Sequence, residues 1–128
     1  MKTIDQAYNY FGNYCLAFVN QRPWNTVKVS FSIFSDMVSA EQYLIYDGRK
    51  IDIGGFEENS DAIWDALEAA KYIRDKTLNE TGERIWGLTF TLYPDGKFEL
   101  EYDYDKPEDY EETNEIITGD EINQNFLK

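Results

Sequence analysis

At 128 residues and 15.0 kDa the chain has the size of one domain over residues 1–128, large enough to bury a core without a metal or disulfide staple. Its net charge of −13, from 25 acidic and 12 basic residues, repels nucleic acid and anionic membranes and attracts a basic protein instead. Histidine is absent, which removes the commonest general base, the commonest metal ligand and every Ser–His or Cys–His nucleophile pair.

In chain order, Thr3 to Asn20 reads as an amphipathic helix. Ile4, Ala7, Tyr8, Phe11, Tyr14, Cys15, Phe18 and Val19 recur at i, i+3, i+4 spacing, and Thr3 with Gln6 has the spacing of a capping box. Arg22-Pro23 is the predicted stop, because a residue before proline is pushed out of the helical region. Cys15 falls on the apolar face, where a buried, inert thiol is expected. As the single cysteine it has no internal disulfide partner. With no apolar leader near Met1 and no apolar run long enough to span a bilayer, the expected compartment is the cytoplasm.

Val27, Val29, Phe31 and Ile33 alternate with polar residues and predict a strand. Ser35 to Ser39 reads as a turn, and Glu41 to Tyr46 as a second strand antiparallel to the first. Asp47-Gly48 is a turn signal, and Lys50 to Ile53 allows a short third strand before Gly54-Gly55 breaks the pattern. That glycine pair lacks the Gly-Lys-Ser/Thr ending of a phosphate loop. A second helix is predicted from about Asp61 to Leu78, capped by Asn59 or Ser60 and closed at Gly82. Its apolar stripe reads as Ile63, Leu67, Ala70, Ile73 and Leu78, with Trp64 beside it.

The clearest local pattern follows. Ile85 to Tyr93 alternates Trp86, Leu88, Phe90 and Leu92 against Gly87, Thr89, Thr91 and Tyr93. Pro94-Asp95-Gly96 is a tight turn, and Lys97 to Tyr104 alternates again, with Phe98, Leu100, Tyr102 and Tyr104 on one side and Glu99, Glu101 and Asp103 on the other. A short helix or loop and a final helical turn carrying Phe126 complete the expected order α-β-β-(β)-α-β-β-α. The fold class is α+β: an antiparallel sheet of four to five strands backed by two long helices.

Charge concentrates at this end. From Asp95 to Glu121 twelve acidic residues face only Lys97 and Lys106, so ten of the thirteen net negative charges lie there. Three chemistries suit such carboxylates. Glu99 and Glu101 could divide acid and base roles, but that needs one of them desolvated in a cleft. Asp103-x-Asp105 with Glu108 and Asp109 could bind a hard cation, though the EF-hand glycine and terminal glutamate are missing. The third is a protein-binding face: Glu99, Glu101, Asp103, Asp105, Glu108, Asp109, Glu111 and Glu112 steer a cationic partner, and Tyr93, Tyr104 and Tyr110 anchor it. Against all three stands a merely solvated strand beside an acidic loop. The pattern favours the binding face, with no catalytic residues, cofactor or metal expected.

Gly82-Glu83-Arg84-Ile85-Trp86-Gly87-Leu88-Thr89-Phe90-Thr91-Leu92 followed by Asp95-Gly96-Lys97-Phe98-Glu99-Leu100-Glu101-Tyr102-Asp103-Tyr104 resembles the YezG-like family of antitoxins and immunity proteins, most closely over Arg84 to Asp105. The resemblance implies a bacterial immunity protein of a contact-dependent or other polymorphic toxin system, whose partner is a cognate basic toxin, often a nuclease. The alternative is an acidic regulatory or adaptor domain that binds a non-toxin basic protein as a nucleic-acid mimic.

Overall fold

A computed structural model of the chain describes residues 3–35, 37–57 and 59–106. They form α1 (Ile4–Val19), β1 (Thr26–Ile33), β2 (Val38–Tyr46), β3 (Arg49–Ile51), α2 (Asp61–Thr81), β4 (Gly87–Leu92) and β5 (Phe98–Asp103). The class is α+β, with one five-stranded antiparallel sheet and two helices. The expected terminal helical turn with Phe126, and the acidic segment before it, lie outside the described residues. No helix among the described residues is long and apolar enough to cross a membrane.

The Thr3 hydroxyl accepts the Gln6 N–H at 3.1 Å and caps α1 as its spacing predicts. The helix ends at the expected place, but not because of Pro23. It closes at Asn20, whose left-handed backbone (φ 46°) returns its N–H to the Leu16 carbonyl at 3.0 Å. Asparagine tolerates that conformation, so the chain has turned before proline can act.

The sheet order is β3-β2-β1-β4-β5. β1 is central, and its Val27, Val29, Phe31 and Ile33 point to the side where both helices pack. Cross-strand partners on that side are Leu44 on β2 and Leu88, Phe90 and Leu92 on β4. Phe11 of α1 reaches into this layer, its ring 5.1 Å from Phe31 and 5.6 Å from Phe90. β2 begins at Val38, earlier than expected, because Val38 pairs with Ile33 and is buried. β3 ends at Ile51, short of Ile53. There the Arg22 guanidinium donates to the Ile53 carbonyl at 2.6 Å and pulls the chain away toward α1.

In α2 the buried row is Ala62, Ala66, Ala69, Ala70 and Ile73. The expected stripe of Ile63, Leu67, Ala70, Ile73 and Leu78 is therefore corrected: Ile63 and Leu67 lie at its margin, Leu78 is 42% exposed and Trp64 is 69% exposed. Small side chains let the helix axis approach α1 and the sheet closely, so bulk is pushed to the flanks. Ser60 stands at the N-cap without a side-chain hydrogen bond, and Gly82 closes the helix with φ 78°.

Candidate protein-binding face

The helices pack on one side of the sheet, and among the described residues no further element covers the other, so strand periodicity decides what it shows. Register places Glu41, Ser30, Thr89 and Glu101 in one row across β2, β1, β4 and β5. Tyr43, Lys28, Thr91 and Glu99 form the next row, and Ser39, Ser32, Gly87 and Asp103 the one on its other flank. Ser30, Ser32, Gly87 and Thr89 make the middle of this side small, with Ser30 Oγ 3.2 Å from Thr89 Oγ1, while Lys28 and Tyr43 stand at one end. Glu41 and Glu101 stand three strand spacings apart, about 14 Å. Along β5 the three carboxylates follow one another at roughly 7 Å, two residues per step.

The hairpin turn holds β5 in this register. Tyr93 N–H donates to the Lys97 carbonyl at 2.9 Å, Gly96 N–H to the Tyr93 carbonyl at 3.0 Å, and Lys97 N–H to Asp95 Oδ1 at 3.0 Å. Gly96 has φ 89°, which a residue with a Cβ adopts only with strain. The turn also occupies its own cation, since Lys97 Nζ lies 3.9 Å from Asp95 Oδ2. Lys28 is two strand spacings from Glu99, about 10 Å between backbones, and no ion pair joins them. Among the described residues no ion pair includes Glu99, Glu101 or Asp103.

Each carboxylate is exposed. The Tyr93 hydroxyl donates to Glu99 Oε1 at 3.1 Å, and that hydrogen bond raises the phenol pKa above its ordinary value. Asp103 Oδ1 accepts the Asp105 N–H at 2.9 Å and turns the chain as it leaves the strand. Glu101 makes no side-chain hydrogen bond among the described residues. The face thus offers a line of acceptors bearing negative charge. Glu99 and Glu101 stand exposed on the sheet and not in a desolvating cleft.

Of the residues singled out from sequence, Tyr93, Glu99, Glu101 and Asp103 share this face, and Asp105 follows at its corner. Tyr104 is separated from them: its ring lies 6.2 Å from that of Tyr102, which belongs to the helix-side row. Glu108, Asp109, Tyr110, Glu111 and Glu112 lie outside the described residues. Of the hard-cation reading, Asp103 and Asp105 are described while Glu108 and Asp109 lie outside the described residues; among the described residues no three acidic or thiol side chains gather into a metal-binding group. Sequence reasoning missed Glu41, because only the β1–β2–β4 register brings it into the row of Glu101.

On the helix side of the same hairpin lies a shallow groove of about 360 Å³ lined by Tyr8, Gly12, Leu16, Trp24, Leu92 and Phe98. Phe98 is 43% exposed there, with its ring 5.4 Å from Tyr8 and 5.1 Å from Phe90. Compared with protein-family models and with curated proteins, the chain matches none.

Proposed function

We propose that this chain is an immunity-type inhibitor of the YezG-like kind, which binds a basic toxin, of the nuclease class, through the face of β5 turned away from the helices. The observation that carries the reading is, among the described residues, the row Glu99, Glu101 and Asp103 on an edge strand with no cation to neutralise it. Like charges at this spacing repel, and a cationic partner relieves the repulsion. A cleft built to hold nucleic-acid phosphates is such a partner, because carboxylates about 7 Å apart along a strand approach the spacing of successive phosphates. The resemblance over Arg84 to Asp105 supports the same reading. The inhibitor acts where the toxin acts, in the cytoplasm.

The test is co-expression with the neighbouring reading frame. Wild type is expected to rescue growth and co-purify with the toxin. The Glu99→Lys/Glu101→Lys/Asp103→Lys variant is expected to lose both while keeping its circular dichroism and melting temperature. Full rescue by that variant contradicts this face as the binding site. A neighbour that co-purifies but is harmless when expressed alone supports the regulatory reading instead.

A further inference from the structure

Among the described residues β5 is an edge strand, and its two sets of backbone groups are spoken for differently. The Ile33 N–H donates to the Trp86 carbonyl at 2.9 Å, and the Tyr93 N–H to the Lys97 carbonyl at 2.9 Å. Tyr93 pairs with Lys97 in the β4–β5 register, so by the alternation of antiparallel ladders the odd-numbered residues of β4 bond to β5 and the even-numbered ones to β1, with one irregularity just before the strand, where the Trp86 N–H donates to the Asp103 carbonyl at 2.7 Å. Glu99, Glu101 and Asp103 therefore turn their N–H and C=O inward to β4. Phe98, Leu100 and Tyr102 turn theirs outward. Their side chains sit on the helix side, where the row is only partly covered and runs into the groove beside Tyr8.

The geometry points to β5 as the acceptor of an added strand: an extended segment of the partner that alternates basic and apolar residues and pairs along the outer edge. This rests on the acidic-face reading above and specifies how the partner engages. Residues of the added strand opposite Glu99, Glu101 and Asp103 place Lys or Arg on the face away from the helices. Those opposite Phe98, Leu100 and Tyr102 place apolar side chains against the half-covered row. Main-chain bonds supply affinity, and the two-sided alternation supplies selectivity.

Charge decides among occupants. A second copy paired antiparallel through β5, with like faces together, sets carboxylates opposite carboxylates, which is destabilising. The chain's own sequence after β5, residues 107–128, carries seven acidic residues against one lysine, the wrong sign for the same position. A basic strand from a different protein has the right one. The carboxylate row also serves as a guard, because charge on an edge strand discourages indiscriminate pairing.

Amide hydrogen exchange on the full-length protein tests this, with two end-blocked peptides of about eight residues and identical composition as probes. One alternates lysine and valine; the other carries its lysines and valines in separate blocks. In the free protein the amides of Glu99 and Glu101 are expected to be protected and those of Phe98, Leu100 and Tyr102 to exchange freely. The alternating peptide is expected to slow those three by roughly tenfold or more, and the block peptide to leave them unchanged. Glu99→Gln/Glu101→Gln/Asp103→Asn is expected to abolish the effect. Protection of the three amides before any peptide is added overturns the proposal, since the edge is then already occupied. Equal perturbation of the carboxylates by both peptides without protection overturns edge pairing and leaves the acidic-face reading standing. No perturbation of β5 by either peptide overturns both.

Discussion

Cys15 and Tyr14 sit side by side where α1 meets the sheet, and each has lost its water. Burial pushes the Cys15 thiol up to about 12, and burial followed by the neighbouring Cys15 pushes the Tyr14 phenol up to about 12 as well. Both groups are neutral at physiological pH, and Tyr14 uses its proton to donate to Gln42 Oε1. Their unfolded values are 9.0 and 10.0. Stability is then fully present below pH 9 and is lost as pH rises through 9 to 12, because the unfolded chain releases these protons first. Urea unfolding is expected to show a flat stability from neutral pH to pH 9 and a loss of at least about 2 kcal/mol by pH 11. Over the flat range, Cys15 is expected to react with a thiol reagent only as fast as the protein opens. The inert thiol was legible in sequence from its place on the apolar face of α1. The role of Gly55 was not. Its break in the pattern was visible, but only the fold shows that a Cβ there would come within 2.5 Å of the Phe18 carbonyl oxygen.

At the scale of the element, alternation proved the most legible signal. The β4–β5 hairpin emerged with its faces as read, because a period of two leaves no choice once Leu88 and Phe90 are buried. α2 was less legible. Its buried row is four alanines and Ile73; the stripe read from sequence held Ala70 and Ile73 but passed over Ala62, Ala66 and Ala69 for Ile63, Leu67 and Leu78. That difference is measurable by chemical denaturation. Ala66→Leu forces bulk between α2 and its neighbours and is expected to cost about 1–3 kcal/mol. Trp64→Ala removes a side chain that is mostly in water and is expected to change stability by less than about 0.5 kcal/mol. The reverse ranking would put Trp64, and not Ala66, on the packed face of α2. Helix ends were readable from local chemistry at Thr3, Asn20 and Gly82, but the stop at Asn20 was ascribed to Pro23, whereas the left-handed turn at Asn20 itself makes it.

For the whole molecule, the charge has a direction. Among the described residues one side of the sheet is closed by helices, and the other carries Glu41 on β2 and Glu99, Glu101 and Asp103 on β5. Excess acid at the C-terminal end was legible by counting. That three of those acids share one side of the sheet, with no cation among the described residues in contact, was not, since it depends on the register of β5 on β4 and on Lys97 lying nearer Asp95. Such a field acts on encounter more than on lifetime, so its signature is kinetic. The most direct test is the association rate of wild type and of Glu99→Gln/Glu101→Gln/Asp103→Asn with the co-purified partner across a series of salt concentrations. The account predicts that the neutral variant associates roughly 10- to 100-fold more slowly at low salt and loses most of the steep salt dependence of wild type. Equal association rates and equal salt dependence in the two proteins would contradict it.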